Sequence, residues 1–286
     1  MTNTLISFGY ATAHRRVGPA LLARQPAWVW SLSGETIIWS NEAGCRFFHS
    51  KSLPDLLGRK FRRISPATVQ IARMGRTARA GDTQDAVLRF FLGMDPVAVS
   101  TQLTRISLAS GEDAIFVEAR DWSDEAEAGP RSKAAVRFAK LFSRGNESAA
   151  LITPAGDVDQ SSDKFRSHKI KRASLKAVSN FSADDAVAVA LDDGSVLNAF
   201  AARDTDGEIA HIFATITAAS DGLPVLFNQT PIDETDDVED MERADDAPSG
   251  DEAISNDPQD TALPLVGTDE SADGAPLVAS SDTPTD

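Results

Sequence analysis

The stretch at residues 26–61, PAWVWSLSGETIIWSNEAGCRFFHSKSLPDLLGRKF, leaves few folds open. Trp28, Trp30 and Leu32 alternate with Val29 and Ser31, Ser33-Gly34-Glu35 supplies turn chemistry, and residues 36–39 resume a β-branched and aromatic run, which predicts a hairpin. Asn41 then stands where a helix N-cap belongs. Ala43/Phe47 and Gly44/Phe48, each spaced i,i+4, give that helix a face of small and aromatic residues to lay on the hairpin. Ser52-x-x-Asp55 opens a further short helix as a capping box, with Leu53, Leu56 and Leu57 on its apolar side.

The rest of the chain reads as the completion of this stretch and then a degraded second copy of it. Ser65-Pro66 starts a helix running to about Ala80, and strands are expected at residues 86–92, 97–108 and 114–119. Residues 121–131, acid-rich and holding Gly129-Pro130, mark a boundary. Ser132 is expected to cap a connecting helix striped by Ala135, Phe138, Ala139 and Phe142. Residues 149–165 repeat the opening stretch without most of its aromatics, and strands at 186–191, 196–202 and 208–217 are joined by Asp-Gly turns. Residues 1–24 read as one broken amphipathic helix interrupted at Gly18-Pro19.

Charge divides the chain more sharply than hydrophobicity does. Of its 43 acidic and 28 basic residues, 19 acids and a single base, Arg243, lie after Ala218. The last 68 residues therefore carry −18 and the first 218 carry +3, so the net −15 belongs to a tail too polar to build a core. The lone Cys45 excludes an intramolecular disulfide or a cysteine metal cluster and fits a reducing compartment. The N-terminus lacks a basic segment ahead of a long apolar run, so neither a signal peptide nor a membrane span is expected, and a cytoplasmic location follows.

Ser33-Gly34 in the turn, Trp39-x-Asn41-x-Ala43 leading into the first helix and Leu57-Gly58-Arg59-Lys60-Phe61 after the second together resemble the opening half of a PAS domain. More narrowly, this start, a second PAS-like copy and an acidic linker resemble the sensory half of PdhS-type cell-division histidine kinases, the PleC and DivJ relatives. The resemblance spans roughly residues 26–218. It implies an α+β chain with two PAS-like domains, each a five-stranded antiparallel sheet with flanking helices, followed by a disordered acidic tail. The corresponding divisions are a flanking segment 1–24, a PAS domain 25–120, an acidic linker 121–131, a connecting helix 132–145, a degenerate PAS-like domain 146–218 and the tail 219–286.

The function implied is signal input without catalysis, regulating a phosphorelay through a kinase core or response regulator. Phosphotransfer by that route needs an acceptor histidine followed by an acid and a glycine-rich nucleotide site. The four histidines precede Arg15, Ser50, Lys169 and Ile212, and neither a glycine-rich lid nor a P-loop occurs. The alternative is a small-ligand sensor whose cavity candidates are Trp30, Trp39, Phe47, Phe48, Leu57, Phe61, Phe90 and Leu103, although aromatics of this size tend to fill a small core. No cofactor is expected. Phe61 stands where flavin-reactive PAS domains place their cysteine, Cys45 lies one helix earlier as a small buried thiol, and the helix from Pro66 to Ala80 that would hold a haem ligand has no histidine, His49 lying in a loop.

No metal site is expected either, for want of clustered ligands. Two basic clusters, Arg59, Lys60, Arg62, Arg63, Arg73, Arg76 and Arg79, then Lys164, Arg166, Lys169, Lys171, Arg172 and Lys176, offer a third reading as a nucleic-acid or anionic-membrane surface. A solvated face is the plainer account, so no nucleic-acid partner is expected. The stripe Ala135, Phe138, Ala139 and Phe142 is expected either to pair two chains as a weak homodimer or to pack on its own second domain.

Overall fold

A computed structural model describes residues 4–122, 131–181 and 185–221. The tail and most of the acidic linker lie outside the described residues. Within them run α1 (Thr4–Ala13), a short 3-10 turn (Gly18–Ala20), β1 (Ala27–Ser31), β2 (Ile37–Ser40), α2 (Glu42–Phe47), α3 (Leu53–Leu57), α4 (Pro66–Thr77), β3 (Thr83–Leu92), β4 (Asp95–Ser107) and β5 (Asp113–Ala119). After the linker come α5 (Arg131–Arg144), β6 (Ala149–Ile152), β7 (Val158–Ser161), α6 (Asp163–Ser167), α7 (Arg172–Ser179), β8 (Ala186–Ala190), β9 (Ser195–Arg203) and β10 (Ile209–Ala218).

Two five-stranded antiparallel sheets result, ordered β2-β1-β5-β4-β3 and β7-β6-β10-β9-β8. Each half runs two strands, helices, three strands. The likeness extends to single residues. In the first hairpin Trp28 pairs Ser40, Val29 pairs Trp39 and Trp30 pairs Ile37, which leaves Ile38 as a bulge. In the second, Ala150 pairs Ser161, Leu151 pairs Gln160 and Ile152 pairs Val158, leaving Asp159 as the same bulge. The hairpin turns hold glycine at positive φ in matching places, Gly34 with Gly156, Gly93 with Gly194 and Gly111 with Gly207, because a tight turn there needs a backbone that other residues adopt at a cost.

The start of the first helix after each hairpin is built with different chemistry in the two halves. Asn41 Oδ1 accepts from Gly44 N at 2.8 Å and from Ala27 N at 3.1 Å, while its Nδ2 donates to the carbonyls of Ala20 and Gln25. Ser162 Oγ accepts from Phe165 N at 3.2 Å and Ala149 N at 3.1 Å, and donates to Glu147 O. One residue in each half thus caps a helix and holds the chain that leads into the first strand. Ser52 and Ser65 cap α3 and α4 as the sequence indicates. The helix α5 already includes Arg131, so the backbone of Ser132 falls inside it rather than at the N-cap position expected from the sequence.

The N-terminal helix is not amphipathic. Leu5, Ile6, Phe8, Gly9, Ala11, Thr12 and Ala13 are all buried, which is the pattern of a helix enclosed by protein rather than laid on a surface. Here α1 lies between the sheets, touching β2 on one side and β8, β9 and β10 on the other. The ring of Phe8 is 5.9 Å from Trp39, 4.9 Å from Phe213 and 5.8 Å from Phe142 of α5. A Cβ on Gly9 would collide with the ring of Phe200, so glycine lets α1 approach β9 closely. Glu42, nearly buried on α2, meets Arg46 at 2.8 Å and Arg137 of α5 at 3.2 Å, which ties the connecting helix to the first half. One apolar core consequently runs from the first sheet through α1 and α5 into the second, and a smaller one around Phe165, Leu197 and Ile212 lies on the second sheet's far face.

Candidate functional site

The face of the first sheet that looks toward α2–α4 is filled by rings. Trp28 lies 5.1 Å from Phe47, 5.5 Å from Phe48 and 5.7 Å from Phe90, and Trp30 lies 4.6 Å from Phe61. Phe47 and Phe48 meet edge to face at 5.0 Å, and Phe48 reaches both Phe61 and Phe90. Edge and tilted contacts of this kind suit the ring quadrupoles and add to the burial of their area. The centre of this face is therefore packed, as the size of the side chains indicates.

At the edge of that packing the structure opens. A cleft of about 660 Å³ lies between the α3–α4 loop and the β3–β4 turn, with Trp30, Phe48, Phe61 and Phe90 among its walls. That volume falls in the range of about 300–1,000 Å³ usual for small-molecule sites. Its mouth carries Ile64 and Met94, 83% and 93% exposed, and the half-exposed Phe91. Arg59, Lys60 and Arg62 also border it. Arg59 is engaged with Phe48 O, Ser50 Oγ and Asp55. Trp30 is fully buried, and its indole N–H has no hydrogen-bond partner among the described residues.

Of the cavity candidates, Trp30, Phe48, Phe61 and Phe90 meet at this cleft, while Phe47, Leu57 and Leu103 are packed in the adjoining core. Trp39 is elsewhere. The bulge at Ile38 leaves Ile37 opposite Trp30 but turns Trp39 opposite Val29, onto the other face, where its indole N–H donates to Thr12 Oγ1 at 2.9 Å. Trp28, at the centre of the ring cluster, is absent from the cavity candidates drawn from the sequence, although its alternation with Trp30 places both on one face. The exposed Ile64, Phe91 and Met94 carry no sequence signal, since single apolar residues in loops are ordinary.

The stripe on α5 is not available to a second chain. Ala135, Phe138, Ala139 and Phe142 are all buried, Phe138 against Phe8 and Phe142 against both Phe8 and Phe213, so a homodimer through these residues is replaced by intramolecular core. Cys45 is enclosed beside Ser40 Oγ at 3.8 Å, and burial pushes its thiol up to about 12. His49 is exposed at the end of α2 with φ 50°, outside the ring cluster. Much of the second basic cluster is neutralised locally, Lys171 by Asp192 at 3.1 Å, Arg172 by Asp157 at 3.9 Å and Arg166 by Asp163. Among the described residues no group of histidine, cysteine and carboxylate side chains could hold a metal, and no helix is long and apolar enough to cross a membrane.

No family model matches the chain, and no curated protein matches it. Among solved structures it is similar to the PAS domain of an HTR-like protein from Haloarcula marismortui, at 17% identity over 37% of this chain and 95% of that one, with a TM-score of 0.30. It is also similar to the LuxQ periplasmic domain of Vibrio cholerae, at 13% identity over 76% of this chain and 90% of that one, with a TM-score of 0.21. A putative uncharacterized protein from Mycobacterium tuberculosis matches at 12% identity over 70% of each chain, with a TM-score of 0.23. Similarities this low carry no ligand or activity with them. The likeness of the two halves to each other rests on the repeated strand order, bulge and helix cap.

Proposed function

We propose that the chain is a signal-input module that works by binding rather than catalysis. By its resemblance to PdhS-type kinases it serves as the cytoplasmic sensory part of a two-component sensor histidine kinase that regulates a cell-division phosphorelay. In this reading residues 25–120 and 146–218 are the two PAS-like domains, 132–145 connects them and 219–286 is an acidic linker. The observation that carries it is α1, buried between two like sheets, which would make any change in one half felt by the other. The test is the phosphorylation of response regulators in cells carrying Gly9→Phe in the chromosomal copy, which should drive α1 off β9. A changed phosphorylation pattern at normal protein level supports the reading, and an unchanged pattern counts against it.

A second reading, a small-ligand sensor, is compatible with the first and is favoured by the cleft. Its aromatic walls and open mouth are what a binding site beside a filled core would need. A nucleic-acid or membrane role through the basic clusters is weaker, since much of the second cluster is paired with acids.

A further inference from the structure

The mouth of the cleft combines features that a simple packing defect would not bring together. Among the residues lining it there is no aspartate or glutamate, and three are cationic. Arg59 is held by Asp55 and two oxygen acceptors, but among the described residues the side chains of Lys60 and Arg62 make no hydrogen bond or ion pair, only the Arg62 carbonyl accepting from Ser65 N. The walls behind them are aromatic. Ser65 and Thr68, the other polar side chains on the lining, bond each other at 2.6 Å. The buried N–H of Trp30 adds a donor with no acceptor among the described residues, and such groups are costly to leave unpaired. The cleft thus offers positive charge at the mouth of an apolar slot and the buried Trp30 among its inner walls.

We infer that the cleft takes an anionic amphiphile, a single acyl chain with a carboxylate or phosphate head. The head is held by Lys60 and Arg62, the chain lies along Phe48, Phe61 and Phe90, and Ile64 and Met94 close over it. This rests on the ligand-sensor reading and specifies its ligand. The acyl chain could arrive free or from a bilayer. A free amphiphile is favoured, because the fully buried Trp30 is reached only by a molecule that enters the slot, whereas a membrane surface would meet the exposed rim of Ile64, Phe91, Met94, Lys60 and Arg62 and leave Trp30 untouched.

The experiment titrates the full chain with decanoate, decanol and decylamine below their micelle concentrations, by calorimetry and by the indole N–H signals, with Trp30 assigned through Trp30→Phe. Decanoate should bind one to one and shift the Trp30 signal. Decanol and decylamine should bind at least about tenfold more weakly, and the surface variant Lys60→Glu/Arg62→Glu should weaken decanoate by a similar factor, as expected for loss of charge-assisted bonds. Equal binding of decanol, or no effect of charge reversal, overturns the anion assignment while leaving the ligand-sensor reading in place. If none of the three moves the Trp30 signal, both fall. Sedimentation with phosphatidylglycerol vesicles but not phosphatidylcholine vesicles, undiminished by decanoate, would make this a membrane-facing surface and overturn the proposal.

Discussion

Trp39 on β2 donates its indole N–H to Thr12 Oγ1 on α1 at 2.9 Å, and Thr12 Oγ1 in turn donates to Phe8 O one helical turn back. A short polar chain therefore crosses from the first sheet into the helix that the second sheet also covers. Each donor in it is satisfied, as a buried network requires. The rings of Phe8, Phe142 and Phe213 continue the contact into β10.

The matched helix caps Asn41 and Ser162 predict unequal costs for matched substitutions. Asn41→Ala removes the acceptor of Gly44 N and Ala27 N and takes a donor from the carbonyls of Ala20, Ala23 and Gln25, so it should cost about 2–4 kcal/mol. Ser162→Ala removes a cap with fewer bonds and should cost about 1–2 kcal/mol. Urea unfolding of the two variants measures both. Costs in the reverse order would show that Asn41 and Ser162 do not do the same job in their two halves.

Cys45 should be chemically silent in the native state. Its thiol is fully buried and held up to about 12 by that burial, so the thiolate that reacts with disulfide reagents is scarcely populated at neutral pH. Native protein should react with a thiol reagent only as fast as it opens, and denatured protein at once. Rapid labelling of the native chain would mean that α2 is not seated as described.

Arg105 joins α4 to the sheet, donating to the carbonyls of Gly75 at 3.0 Å and Ala78 at 2.6 Å while meeting Asp113 at 2.7 Å. The Ser107 hydroxyl and the Arg105 guanidinium, both hydrogen-bonded to Asp113, hold its carboxyl below the usual range. A carboxyl depressed in the folded state stabilises above its unfolded value, about 3.9, and loses that stabilisation as pH falls through the folded one. Stability should thus fall more steeply below about pH 4 in the parent than in Asp113→Asn. Identical pH slopes for the two proteins would contradict the coupling.

Much of this fold is written in the chain. The strands follow alternation and glycine turns, and Asn41, Ser52 and Ser65 announce their helices by position alone. Ser162 does not, because it sits in a polar segment where serine is ordinary. Trp39 departs from its expected place in the cavity because alternation assumes an unbroken strand, and a one-residue bulge reverses the face of what lies beyond it. The place of α1 is illegible for another reason. A helix apolar on all sides states that it will be enclosed but not by what, and the partner strands β9 and β10 lie some 190 residues later. The cleft is made by two loops distant in sequence, so Lys60 and Arg62 read only as part of a basic run.

If α1 fastens both sheets into one cooperative unit, unfolding followed separately in each half should show a single transition. All four tryptophans pack on the first half, Trp122 against Phe47 and Trp39 also against α1, so their fluorescence follows the first sheet and its contact with that helix. Hydrogen exchange at β9 and β10 under the same urea series reports the second. The two transitions should coincide in the parent, and Phe8→Ala, costing about 3–5 kcal/mol, should lower both together. Separate midpoints in the parent, or a Phe8→Ala effect confined to one half, would contradict the account.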